Sequence, residues 1–203
     1  MQIGIIGHGN VGGALARNWA DKGHQIRIGA RDPKSDKVNT LARIDNIHSV
    51  SIPEAAQESE VILVAIPARE APELASKLGD LEGKVLIDST NSIGPQSGPY
   101  PTAFHAFQAL TKAEVVKCFN STGYENMADP IYAGEGIDMF MAGNSSHAKE
   151  IARKLALDAG FGICHDFGNA NQVKLLEQLA LCWINLAIFQ KHGRNMAFKV
   201  LRR

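Results

Sequence analysis

Residues 3–13 read IGIIGHGNVGG, and four of the seven residues from Gly7 to Gly13 are glycine. Fixing a glycine costs more conformational entropy than fixing any other residue, so a cluster at one bend marks a backbone with little freedom of choice. Gly7-His8-Gly9-Asn10-Val11-Gly12 has the form G-x-G-x-x-G. It follows the run Gln2 to Ile6, read as a strand, and precedes Val11, Leu15 and Trp19 at helical spacing, with Gly23 as a stop. In that context the first glycine permits the tight turn, and the second lets backbone approach a pyrophosphate. The third lets the helix pack close to the strand. The phosphates would sit at the helix N-terminus, where unpaired N–H groups and the macrodipole favour negative charge. The bend is therefore expected to hold a dinucleotide.

Downstream, short apolar runs alternate with helical patterns, which predicts an α/β fold: a Rossmann-like, doubly wound, mostly parallel sheet. Strands are expected at Gln25–Ile28, Val61–Ile66, Val85–Asp88 and Val115–Phe119, with a further candidate over 137–142. Val61–Ile66 is continuously apolar, as suits a strand buried on both faces. Ser51-Ile52-Pro53-Glu54 has the S-x-x-E form of a capping box and opens a short helix. Residues 145–159 read as a helix ending at Gly160, and a long C-terminal helix runs from Gln172 to Gln190. The turn-rich stretch from Ser92 to Pro101 reads as a functional or mobile loop. No boundary is placed before about residue 165. One dinucleotide-binding domain over 1–203 is expected, with a core over about 1–167 and a helical extension and tail over about 168–203.

Which dinucleotide is bound depends on the end of the second strand, where an NAD site carries an acid for the ribose 2′-OH. The chain has Gly29-Ala30-Arg31-Asp32-Pro33-Lys34. Arg31 can fork onto a 2′-phosphate and Lys34 adds a second cation, so NADP(H) is the expected cofactor. With a shifted register Asp32 would serve NAD instead.

Lys+Arg and Asp+Glu both number 21, which argues against a general nucleic-acid binder. The cysteines, Cys118, Cys164 and Cys182, form no C-x-x-C pair, so neither a disulfide framework nor zinc is expected. His105 and Cys164-His165-Asp166 also lack metal-site spacing. Cys118 reads as a small buried residue rather than a nucleophile. The opening MQIGIIG lacks a basic n-region, and the apolar run 179–189 is short for a bilayer span. A cytoplasmic chain with no membrane partner is the expectation.

On IGIIGHGNVGGALA, IGARDPK, VILVAIP, VLIDSTN, VVKCFNS and MAGNSSHAKEIARKLALDAGF, the chain resembles the NADP-dependent reductases of the deazaflavin coenzyme F420. It is similar, on the same segments, to the cytosolic oxidoreductase domain of six-transmembrane ferric reductases. The resemblance implies a homodimer and direct hydride transfer between nicotinamide and a flavin-like ring, with a flavin or coenzyme F420 as co-substrate. It places Gly7 to Gly12 at the pyrophosphate and Ala30, Arg31 and Lys34 at the 2′-phosphate. Ala65, Ile66, Pro67 and Ala68 would lie along the dinucleotide, and Asn91, with Asn120 to Tyr124, would flank the nicotinamide pocket. Two departures are Ala30, where a serine is frequent, and Ala68, where an aromatic is frequent.

Hydride transfer between two rings needs no side-chain acid or base, so no catalytic side chain is assigned. A competing enzymatic reading uses Lys174. Gly168-Asn169-Ala170-Asn171-Gln172-Val173-Lys174 and Gln178 are similar to the lysine-bearing segment of β-hydroxyacid dehydrogenases, whose lysine assists reduction of a carbonyl or imine. In the plainer alternative Lys174 is a solvated helix cation. A third possibility is an NADP(H)-binding module without turnover. Leu175, Leu176, Leu179, Cys182, Trp183, Leu186 and Phe189 cover more than one helical face, which favours a homodimer through the C-terminal helix. The tail with Lys191, Arg194, Lys199, Arg202 and Arg203 reads as a solvated basic surface.

Overall fold

A computed structural model describes residues 1–94 and 98–203. The middle of the turn-rich stretch, Pro95 to Ser97, lies outside the described residues. In chain order the elements begin with β1 (Gln2–Ile6), α1 (Asn10–Asp21), β2 (Gln25–Ala30), α2 (Asp36–Leu41), β3 (Ile47–Ser51) and α3 (Ile52–Gln57). Next come β4 (Val61–Val64), α4 (Ala71–Ala75), β5 (Val85–Asp88), α5 (Ala103–Leu110), β6 (Glu114–Cys118) and α6 (Tyr124–Ala128). The chain continues with β7 (Ile131–Tyr132), β8 (Glu135–Gly136), β9 (Met139–Gly143), α7 (Ser146–Asp158), β10 (Cys164–Asp166) and α8 (Val173–Ile184).

The main sheet runs β10-β9-β6-β5-β4-β1-β2-β3. From β3 to β6 every pairing is parallel, and β9 turns antiparallel against β6. The strand order reverses between β1 and β4, the place where doubly wound sheets leave a ligand crevice beyond the strand ends. Central strands are apolar throughout because helices cover both faces. One layer packs α1, α2 and α7 on Ile3, Ile5, Ile26 and Val116. The other packs α4, α5 and α8 on Ile62, Val64 and Leu86.

Several local expectations appear as read. Ser51 Oγ accepts from the Glu54 backbone N–H at 3.3 Å, which closes half of the capping box. Gly160 follows α7 with φ +97°. The strand at Val61 stops at Val64, two residues early, because only the Ala65 N–H continues the ladder, donating to Ile6 at 2.8 Å. Strand β3 and the small β7–β8 hairpin were not anticipated. Their sequences, Ile47-His48-Ser49-Val50-Ser51 and Ile131-Tyr132, carry too little apolar pattern to stand out.

The C-terminal helical run extends from Ala170 to Phe189, ending in a π-turn over Asn185–Phe189. At 20 residues and mean hydropathy 1.2 it is long and apolar enough to cross a bilayer by length and composition. The argument from residues 179–189 alone therefore does not hold. Val173, Leu176, Ala180 and Trp183 are nevertheless buried on the protein itself.

Candidate functional site

The glycine bend is shaped by contacts no side chain would allow. Gly7 has φ +102°, and a Cβ there would stand 2.2 Å from the Ala65 carbonyl oxygen. A Cβ on Gly12 would stand 2.0 Å from the Gly7 carbonyl oxygen. Gly9 differs: a Cβ there would meet nothing within 4 Å. This glycine therefore leaves open a space that no part of the protein fills, at the head of α1. Gly9 is the N-cap, no side chain caps the helix, and the first turn holds no acidic residue. The first-turn N–H groups of a helix lack intrahelical partners, and a helix N-terminus of this kind favours an anion.

The opening continues into a cleft of about 480 Å³ lined by Gly9, Asn10, Val11, Ala65, Asn91, Asn120 and Tyr124 among others. These seven sequence-designated residues come from the segments that follow β1, β4, β5 and β6, including the first residues of α1 and α6, and the parallel sheet brings them together. Asn91 and Asn120 hold each other: Asn91 Nδ2 donates to the Asn120 carbonyl at 2.8 Å, and Asn120 Nδ2 donates to Asn91 Oδ1 at 3.0 Å. Phe119 makes this possible. It is buried with φ +61°, a left-handed turn that ends β6 and carries Asn120 into the cleft. Its ring is fixed edge-on to Trp19 at 5.6 Å. Strain of this kind at a site is tolerated where packing overdetermines it. Tyr124 is set by α6, which Asn18 ties to α1 by donating to the Met127 carbonyl at 2.9 Å.

His8, Ile66, Pro67 and Ala68 do not line the cleft. Ala30 is buried at the end of β2, and Arg31 and Lys34 follow it on the exposed surface. Asp32 turns back on its own loop, accepting from the Lys34 backbone N–H at 3.0 Å, and Ala30 rather than an acid ends the strand. Arg31 forms no ion pair among the described residues.

Three features escaped the sequence reading. A smaller recess of about 190 Å³, lined by Asn91, Ser92, Thr102, Lys174, Glu177 and Gln178, adjoins the cleft through Asn91 and Ile93. Behind it lies a buried ion triad: Lys117 Nζ reaches Asp88 Oδ2 at 2.9 Å and Glu177 Oε1 at 2.6 Å. Lysine seldom buries fully unless paired, so its position in VVKCFNS gave no cue. The third is the tail, which is not simply a solvated basic surface. Arg194 pairs with Glu125 and joins the cleft lining, and Lys199 reaches Glu135 at 2.6 Å. Lys174 itself is exposed. Among the described residues no group of three or more His, Cys, Asp or Glu is placed to hold a metal.

Residues 2–92 match the family described as NADP oxidoreductase, coenzyme F420-dependent. A rat protein, metalloreductase STEAP3, is 26% identical over 184 residues, covering 89% of this chain and 36% of the relative. The chain spans about a third of the length of the curated relatives it matches. A solved protein of Arthrobacter sp. FB24, carrying the provisional description of an F420-dependent NADP-reductase, superposes with TM-score 0.86. It is 26% identical, and each chain is covered in full. A reductive aminase from Aspergillus terreus, solved with NADPH and ethyl-5-oxohexanoate, shares the fold at TM-score 0.68 and 19% identity. That match covers 94% of this chain and 62% of the aminase. The chain thus resembles the coenzyme F420-dependent NADP oxidoreductases, along residues 2–92 by sequence and over its whole length by fold.

Proposed function

We propose that this protein is an NADP(H)-dependent oxidoreductase that moves hydride between the nicotinamide and a flavin-like or deazaflavin acceptor seated in the cleft. The observation that carries this reading is the open space over Gly9 at the uncapped head of α1, continuous with a cleft that ends at Asn91 and Asn120. Gly7 to Gly12 hold the diphosphate. Arg31 and Lys34 meet the 2′-phosphate beyond Ala30. Asn91 and Asn120 border the nicotinamide. The cofactor supplies the transferable hydride, and the protein's residues bind, orient and exclude water. Calorimetry with NADPH and NADH tests the reading. NADPH should bind more tightly, and Arg31→Asp should remove that preference. No uptake of either nucleotide would refute it.

A second reading has one observation behind it. Lys174 lines the recess that adjoins the cleft, where it could assist reduction of a small carbonyl or imine. Loss of such activity in Lys174→Ala with NADPH uptake intact would favour it. NADPH uptake with no acceptor reduced would leave a binding module. A homodimer through α8 belongs to the same proposal. Leu175, Leu181, Ile188 and Phe189 are exposed along one helical run, more apolar surface than a lone helix face usually shows to water. Sedimentation independent of concentration would overturn that part.

A further inference from the structure

Part of the cleft wall is built from three residues that come from separate parts of the chain. Tyr124 opens α6, Trp183 lies in α8, and Arg194 belongs to the tail. The guanidinium carbon of Arg194 sits 5.4 Å from the Tyr124 ring centre and 5.5 Å from that of Trp183. These are cation–π distances.

The tail is fastened where it delivers the arginine. The Met196 carbonyl accepts from both Asn126 Nδ2 and Trp183 Nε1, each at 2.7 Å. Arg194 Nε donates to Glu125 Oε1, while its two Nη nitrogens have no hydrogen-bond partner among the described residues. Gly123 lies beneath: a Cβ there would stand 2.6 Å from Trp183 Cη2 and 2.7 Å from Glu125 Oε2. Among the described residues lining the cleft Arg194 is the one charged side chain, and its Glu125 partner is not part of the lining. A planar cation held beside two rings, with its outer nitrogens unspent, is poised to meet a further planar group.

We infer that Tyr124, Trp183 and Arg194 form the acceptor subsite, selecting a conjugated ring that becomes anionic on receiving hydride. The inference rests on the proposed function and deepens it by assigning the residues that recognise the acceptor. Hydride transfer breaks a C–H bond of the dihydronicotinamide and carries the hydrogen nucleus with both electrons to the acceptor ring. The donor ring is left cationic, and the acceptor ends one unit more negative until it takes a proton from water. The free guanidinium edge holds that added charge, a charge-assisted contact in a partly dry cleft. Neutral acceptors that gain no lasting charge have less to gain from this wall.

Riboflavin is the probe, with two readouts. Titration of its fluorescence on NADP⁺-loaded protein reports stacking on the wall, and steady-state oxidation of NADPH reports transfer. In Arg194→Gln, riboflavin affinity and kcat should each fall by about tenfold or more, the loss expected for one charge-assisted contact. Arg194→Lys should restore part of kcat, by keeping the charge, and little of the stacking. NADP⁺ uptake by calorimetry, unchanged within about twofold, shows that each variant is folded. Equal handling of riboflavin by wild type and Arg194→Gln would overturn the inference, as would a parallel loss of NADP⁺ affinity. Wild-type protein that takes up NADPH but neither binds nor reduces riboflavin would overturn it too, leaving the dinucleotide site standing. Absence of NADPH uptake would instead refute the proposed function.

Discussion

Lys117 Nζ lies 2.6 Å from Glu177 Oε1, joining the middle of the sheet to the C-terminal helix with the lysine wholly buried. The same ammonium holds Asp88 of β5 at 2.9 Å. Glu177 also accepts from the Ser92 backbone N–H at 3.1 Å, so the loop after β5 is tied to α8 through this carboxylate. Desolvating three charges is expensive, and only close pairing offsets it. Removing the lysine leaves two carboxylates facing each other in the dry interior. Lys117→Met should cost ~3–5 kcal/mol of stability in urea unfolding. A loss under ~1 kcal/mol, the range of an exposed pair, would mean that the triad is not buried in solution.

The glycines of the bend should separate by variant. Gly9→Ala puts a methyl into space no protein atom occupies, at a φ of −72° that alanine accepts. Its stability should change by no more than ~1 kcal/mol, the scale on which alanine is poorer than glycine at an N-cap. Its affinity for NADPH should fall by about tenfold or more, equivalent to ~1.4 kcal/mol. Gly12→Ala drives a methyl onto the Gly7 carbonyl and should cost ~1–3 kcal/mol in folding. Thermal melts with parallel calorimetry read both, and equal behaviour of the two variants would be the contrary result.

His105 should make the fold sensitive to acid. Burial holds its imidazole below the ordinary value of 6.5, and the Lys174 charge acts in the same direction. The folded protein therefore resists protonation that the unfolded chain accepts. This contribution is intact above pH 6.5 and is lost as the pH falls through the lower, folded-state value. Melting temperatures measured on both sides of pH 6.5 should drop more for wild type than for His105→Gln. Parallel curves would contradict the assignment.

Thiol reactivity should divide the cysteines. Cys118 and Cys164 are buried with their sulfurs 4.0 Å apart, and burial, with Cys164 adding to it, pushes the Cys118 thiol well up. Neither should react with a thiol reagent until the chain unfolds. Cys182, exposed on α8, should react in the folded protein. Its protection should grow with protein concentration if copies associate through that helix. Modification of Cys118 without unfolding would be the opposing outcome.

Much of the cleft was legible in the chain because its signals are local. A glycine at Gly7 or Gly12 is demanded by contacts within a single strand-turn-helix unit, so spacing along the chain reports it directly. The Ser51 cap and the apolar run at Val61 are of the same kind, as each depends on neighbours within a few residues. Asn91 and Asn120 follow the strands read at Val85–Asp88 and Val115–Phe119, and their designation came from the family resemblance.

What the sequence determined by itself is thus the glycine bend between β1 and α1, the parallel half of the sheet and the strand ends that face the crevice. Tertiary structure alone decided the antiparallel turn of β9, the burial of Lys117 and the entry of Arg194 into the cleft. Lys117 meets Glu177 across 60 residues, and Arg194 meets Glu125 across 69. Apolar periodicity tells which face of an element is buried, but not what covers it. A charged residue in a strand or tail reads as solvated until its distant partner is in place, because only that partner offsets the cost of leaving water.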